Sequence, residues 1–175
     1  ELVDINSVNH SRLSTMTTST PLPVLQKGSQ GAAVKELQTL LNKYIGMPSI
    51  GGPIAVDGIF GNATEARVKL AQYRYLLQMD GIVGKLTWQA LKANAALLAS
   101  KPVLRRNSMG IEVEIVQKLL KEGGYYKSTV DQVFGQNTEK AVQAFQRDRQ
   151  LVADGVVGQK TWKECENLAI YLAFD

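Results

Sequence analysis

The chain has 175 residues, 45% of them hydrophobic and 21% charged, which is the balance of a folded chain in one large or two small domains. A single Cys, Cys165, excludes an internal disulfide and a multi-cysteine zinc site, and a single His, His10, in a polar stretch leaves little for a triad or a His-rich metal site, so neither cofactor nor metal is expected. The formal charge of +4 suits an anionic polymer but forms no basic stripe for nucleic acid, and no apolar run approaches the ~20 residues of a membrane span. The chain starts at Glu1 rather than Met and reads as a processed or a truncated product, so that a removed export signal is one of two alternatives and is not itself visible.

Residues 1–21 carry few structure signals. Ser11 to Thr20 is almost all Ser and Thr, Pro21 follows, and the stretch reads as an arm or linker. Ser29 is placed to cap a helix whose Val34, Leu37, Leu41 and Tyr44 form one apolar stripe. Gly46, Pro48, Gly51, Gly52 and Pro53 end it in a long loop. Val56-Asp57-Gly58-Ile59-Phe60-Gly61-Asn62-Ala63-Thr64-Glu65 then reads as a turn into a second helix, with Gly at left-handed positions and Asn62 or Thr64 as the cap. That helix carries Val68, Leu70, Ala71 and Tyr75. A shorter form of the phrase, Asp80-Gly81-Ile82-Val83-Gly84, leads to a third helix with Trp88 and Leu91 and an Ala/Leu tail to Ala99. Lys101-Pro102 stops it and sets a domain boundary near residue 100.

The second half repeats this order. Val24-Leu25 matches Val103-Leu104, Ser29 matches Ser108, and Gln38 and Leu41 match Gln117 and Leu120. The phrase returns as Val130-Asp131-Gln132-Val133-Phe134-Gly135-Gln136-Asn137-Thr138-Glu139, and its short form as Asp154-Gly155-Val156-Val157-Gly158. The period is a whole small domain, so the fold class is all-α, with two tandem compact three-helix units joined closely. The domains are an arm over 1–21, a first repeat over 22–100 and a second over 101–175.

The order Leu25, Gly31, Val34, Gln38, Leu41, then Asp57-Gly58, Phe60-Gly61, Thr64, then Asp80-Gly81, Gly84, Thr87-Trp88, with its second copy ending in Asp154-Gly155, Gly158 and Thr161-Trp162, resembles the peptidoglycan-binding domain of many bacterial cell-wall hydrolases. The resemblance covers about residues 22–93 and 101–166. It implies a non-catalytic module that holds a protein on peptidoglycan outside the cytoplasm, in the envelope or secreted, beside a hydrolase domain in a parent chain. A protein–protein adaptor or pro-segment on the same fold is the alternative. Three positions depart from the pattern: Ala71 where the second copy has Phe145, Gln132 in place of Gly, and Cys165 where the first copy has Leu91. Cys165 is therefore expected to be a buried apolar residue rather than a nucleophile.

A glycan–peptide polymer needs aromatic faces and fixed polar groups. The candidates for ligand contact are Tyr44, Tyr125 and Tyr126 near the exits of the first helices, Asp57, Asp80, Asp131 and Asp154 in the turns, Gln72 and Gln146 on the second helices, and Trp88 and Trp162 on the third. For the tryptophans core packing competes with ligand stacking, and for the aspartates turn structure competes with ligand contact. Gln38 and Gln117 are expected to bond a neighbouring loop backbone. Tyr125 and Tyr126 stand out, since two adjacent aromatics in a Gly-led loop do not easily both point inward. With its shorter loop and its Phe145, the second copy is expected to carry more of the binding.

Overall fold

The computed structural model describes residues 22–45 and 52–174; the arm over 1–21 and the centre of the Gly/Pro-rich loop lie outside them. Six α-helices form the described residues: α1 (Ala32–Ile45), α2 (Asn62–Arg74), α3 (Lys85–Ala93), α4 (Ile111–Glu122), α5 (Gln136–Asp148) and α6 (Gln159–Phe174). Among the described residues extended pairing is limited to isolated antiparallel bridges, Leu25 with Val83 and Gln30 with Ile59, repeated as Leu104 with Val157 and Met109 with Val133. Each bridge ties the segment before a unit's first helix to one of its Asp turns, so the turns are closed on both sides.

The apolar stripe of α1 buries Val34, Leu37, Leu41 and Ile45 against Phe60, Val68, Ala71, Val83, Trp88 and Leu91. The stripe of α4 buries Val113, Val116, Leu119 and Leu120 against Phe134, Val142, Phe145, Val157, Trp162 and Cys165. At roughly 25 cal/mol per Å² of apolar surface, burial of this kind is the main favourable term in each unit. Where the second core holds Phe145, the first holds Ala71, and Tyr75, 1% exposed, brings an aromatic ring into that core. Its hydroxyl donates to Asn94 Oδ1 at 2.9 Å.

The helix starts differ from the sequence expectation. The N-caps of α2, α3 and α5 are Gly61, Gly84 and Gly135, with φ of −95°, −92° and −87° and no side-chain cap bond. Asn62 is already helical, and Thr64 and Thr138 turn inward rather than capping. α1 starts at Ala32, and the Ser29 hydroxyl instead accepts the N–H of Gln26 at 3.0 Å, closing the turn before it. The left-handed residues are the ones that follow the Asp: Gly58 (φ 79°), Gly81 (75°) and Gly155 (74°), with Gln132 at 63° in the remaining copy. The Ala/Leu tail is not a continuation of α3. Asn94 turns left-handed at φ 50°, and a single 3₁₀ turn, Leu98–Ser100, follows.

These dihedrals separate two glycines of the same phrase. Gly155→Ala places a Cβ at left-handed φ and 2.8 Å from Glu139 Cγ, and is expected to cost about 1–2 kcal/mol. Gly135→Ala meets open space at negative φ, with only the poorer N-capping of Ala against it, and should cost less, about 0.5–1 kcal/mol. Urea midpoints of the two variants check the contrast; equal shifts would contradict it.

Candidate functional site

Each Asp turn is organised by one buried glutamine from a neighbouring helix. Gln38 of α1 donates through Nε2 to Asp57 Oδ1 at 2.8 Å and to the Ile59 carbonyl at 3.1 Å, and its Oε1 accepts the Gly58 N–H at 2.9 Å. Gln72 of α2 repeats the set on Asp80 Oδ1 (2.7 Å), the Ile82 carbonyl (3.0 Å) and the Gly81 N–H (2.9 Å). Gln117 of α4 does so on Asp131 Oδ1 (2.8 Å) and the Val133 carbonyl (3.0 Å), accepting the N–H groups of Asp131 and Gln132 at 3.1 Å each. Gln146 of α5 completes the series on Asp154 Oδ1 (2.8 Å), the Val156 carbonyl (2.9 Å) and the Gly155 N–H (2.9 Å). In all four turns the Asp Oδ1 also accepts the N–H two residues on, at 2.8–3.0 Å, as an Asx turn does. A primary amide carries two N–H donors and an acceptor oxygen on one planar group, which lets it bond the turn's N–H, its carbonyl and the Asp carboxylate together.

These bonds move the carboxylates. The Gln38 amide, then the Ile59 N–H, holds the Asp57 carboxyl below its ordinary value, and Gln117 with the Val133 N–H does the same for Asp131. For Asp154 the Val156 N–H leads and Gln146 follows. Cys165 is fully buried, and burial pushes its thiol up to about 12, far from a thiolate.

The candidate side chains are therefore spread over several environments. Trp88 and Trp162 are 0% exposed, and their indole N–H groups donate to the carbonyls of Pro23 and Pro102 at 2.8 Å. Gln72 and Gln146 are buried in their turns, while Asp57, Asp80, Asp131 and Asp154 keep exposed surface. Tyr44 is half-buried beside Lys43, whose ammonium lies 4.9 Å from the ring centre. Both adjacent tyrosines turn towards the protein. Tyr126 is 4% exposed and donates to the Thr129 carbonyl at 2.7 Å. Tyr125 is half-buried, packs edge-on against Phe145 with centroids 5.3 Å apart, and bonds Asp148. Its partners lie on the last turns of α5, about 14 Å (Phe145) and about 18 Å (Asp148) along the helix from Gln136.

The structure brings Tyr126 and Asp131 together at the mouth of a cleft of about 360 Å³. Ser128, Thr129, Gln136 and Asn137 complete its polar lining at the start of α5. These four were not among the sequence candidates; Asn137 signals itself only by replacing Ala63 of the first copy. Both Asp131 bonds fall on Oδ1. In the first copy Asn42 pairs with both backbone groups of Ile54 at 2.8 Å, and the Arg67 guanidinium bonds the carbonyls of Ile45 and Gly52, so the described ends of the longer loop are tied down. Among the described residues no group of three or more His, Cys, Asp or Glu side chains could hold a metal ion, and no helix is long and apolar enough to cross a membrane.

The sequence profile of a family described as a putative peptidoglycan binding domain matches residues 30–91 and 110–164. An N-acetylmuramoyl-L-alanine amidase, CwlM, of Mycobacterium tuberculosis is 31% identical over an alignment of 147 positions, gaps included, that covers 78% of this chain and 36% of that protein. A probable N-acetylmuramoyl-L-alanine amidase of Bacillus licheniformis is 32% identical over an alignment of 179 positions, gaps included, that covers 91% of this chain and 49% of that protein. The chain thus spans about a third to a half of these two relatives. The crystal structure of the SleB N-terminal domain is 36% identical, with a TM-score of 0.39, and the match covers 40% of this chain and 96% of that one.

The glutamine turns predict a stability effect with a pH signature. Gln146→Leu leaves the Gly155 N–H without its partner and removes one donor to the Val156 carbonyl, which keeps the Gly158 N–H and the Thr161 hydroxyl, and is expected to cost about 1–3 kcal/mol, read from a urea midpoint. The depressed Asp57, Asp131 and Asp154 groups contribute stability that is complete above the unfolded carboxylate value of about 3.9 and is lost as pH falls through their lower folded values. Wild type should weaken across that acid window, and a triple Asp→Asn variant at these positions should show a flatter curve there; parallel curves would contradict the assignment.

Proposed function

Because this chain belongs to the putative peptidoglycan-binding domain family, we propose that it is a non-catalytic module that holds a parent protein on murein. Residues 22–100 and 101–175 are its two binding repeats, and the compartment is extracytoplasmic, where that polymer lies. The carrying observation is the pair of family matches, which together take in most of the chain. The names of the relatives support a hydrolase as the rest of the parent chain: both are amidases or probable amidases of which this chain spans no more than about half.

Binding centres on the cleft of the second repeat. Its lining of hydroxyls and amides suits sugar hydroxyls, acetamido groups and peptide amides, and the Oδ2 of the exposed Asp131 is left to accept one N–H or O–H. Tyr126 shapes the wall by holding the Thr129 carbonyl. Gln146, Asp154 and Trp162, with Asp57, Gln72, Asp80 and Trp88 in the first repeat, support the turns that present the ligand surface. Tyr44 and Tyr125 offer part of a ring to solvent at the exits of α1 and α4. Each site binds weakly, since a hydrated sugar–peptide offers few apolar contacts, and two sites on one chain raise retention through effective concentration.

A protein–protein adaptor is the second reading. It is favoured by a groove of about 610 Å³ between the repeats, lined by the exposed apolar residues Leu86, Val103, Met109 and Ile111.

Co-sedimentation with purified insoluble murein separates the two. Wild type should sediment with it, and Gln136→Ala with Asn137→Ala should reduce the bound fraction several-fold without changing the helical circular dichroism. Bound protein should release neither reducing ends nor amines over hours. Absence of sedimentation would favour the adaptor, and sustained release that follows the pure protein would show an enzyme.

A further inference from the structure

Some side chains of the duplication break the repeat, and three of them meet at the junction of the two units. Leu76 follows α2 and adopts a left-handed backbone at φ 55°. Its counterpart after α5 is Gln150, at φ 56° and exposed. The backbone is common to both copies, but the first copy places an aliphatic residue on it, where a left-handed conformation costs about 1–2 kcal/mol. Leu76 is 1% exposed, and the core it joins is that of the second repeat. Tyr73, one turn earlier, packs on the same core, where the second copy has an exposed Arg147.

Lys101 is the second such residue. Its side chain is 5% exposed, and its ammonium donates to the Leu76 carbonyl, lies 3.4 Å from Glu112 and sits 5.2 Å from the centre of the Trp162 ring. A buried ammonium is costly unless it is bonded, and here it meets a carbonyl just past the C-terminus of α2, where a helix favours positive charge. The matching residue of the first copy is Leu22, which is exposed. The third is Glu166 of α6, 6% exposed, whose Oε1 accepts the N–H of Ala96 at 3.0 Å and whose Oε2 pairs with Lys163 at 2.7 Å. Its counterpart is the exposed Lys92. None of the three recurs in the other copy, and each reaches from one unit into the other. Helices α2 and α6 pack together along the same junction.

We infer that Leu76, Lys101 and Glu166 lock the two repeats into one rigid body, so that the two murein sites are presented at a fixed spacing and orientation rather than on a tether. The statement about murein sites rests on the function proposed above; the lock itself does not. A fixed spacer favours polymer segments whose epitopes recur at the matching separation, whereas a tether accepts many separations. The three are positioning residues and touch no ligand.

Backbone ¹⁵N relaxation on the whole chain tests the lock directly. Wild type should give one rotational correlation time for residues of both repeats. Leu76→Gln combined with Lys101→Met should give two shorter ones and reduce retention on insoluble murein several-fold, while affinity for a soluble disaccharide–peptide fragment stays within about twofold of wild type. Independent tumbling of the repeats in wild type, or a common correlation time retained by the double variant, would overturn the inference. If the double variant does not fold, the wild-type relaxation and the milder Tyr73→Arg decide the same question. Common tumbling without murein retention in wild type would uphold the lock and refute the binding function.

Discussion

A buried primary amide facing a turn is the contact on which this architecture depends. A three-helix unit of this size has a thin core, and its connections must bend sharply without leaving backbone groups unpaired. Gln38, Gln72, Gln117 and Gln146 solve this in the same way, each satisfying a carbonyl, a backbone N–H and an Asp carboxylate at once. The Asp in turn fixes the N–H two residues on, and the Thr at the start of the next helix lies within reach of the same amide. The network explains why the polar residues of the phrase recur even though most of them face the protein. It also links stability to pH, because the anionic form of the Asp is the one the turn bonds.

The duplication and the all-α class were legible because they rest on order and spacing. The bonding role of Gln38 and Gln117 was legible for the same reason, as a polar residue that recurs on an apolar stripe needs a partner inside. The caps were misread. Asn62, Thr64 and Ser29 are good cap residues by type, but Gly61 and Gly31 precede the helices, and the Ser29 hydroxyl closes the turn before α1 instead of capping it. Propensity identifies who can cap, whereas the bridge geometry decides where the helix starts. The glycines were only half legible: sequence cannot say which Gly of a phrase is left-handed, and Gln132 shows that the position does not demand Gly.

The cleft was less visible still. Tyr125 and Tyr126 are adjacent in sequence, yet one seals the wall of the cleft while the other lies along the far end of α5. Its polar lining comes from Ser128, Thr129, Gln136 and Asn137, residue types common in any loop, so nothing in their spacing marks them. Aromatic residues drew attention because of what they could do to a sugar ring, but in units this small large rings are needed to fill the core. Trp88 and Trp162 show the competition: each occupies the centre of a unit, and its indole N–H finishes the segment that leads into the first helix.

Repetition and difference therefore carry separate information. What both copies share, the amide-bound turns and the buried tryptophans, describes how one unit folds. Outside the cores, where Ala71 corresponds to Phe145 and Leu91 to Cys165, two unshared surfaces stand out. One is the junction, where Leu76, Lys101 and Glu166 replace exposed counterparts and accept unfavourable backbone or charge burial in order to reach the other unit. The other is the cleft at the start of α5, where Asn137 stands for Ala63. Two identical units can also bury area by meeting, but only through surfaces that both copies carry. An asymmetric pair can dedicate the outer face of one copy to contact and the side of the other to support, which is the division that the unshared residues of this chain describe.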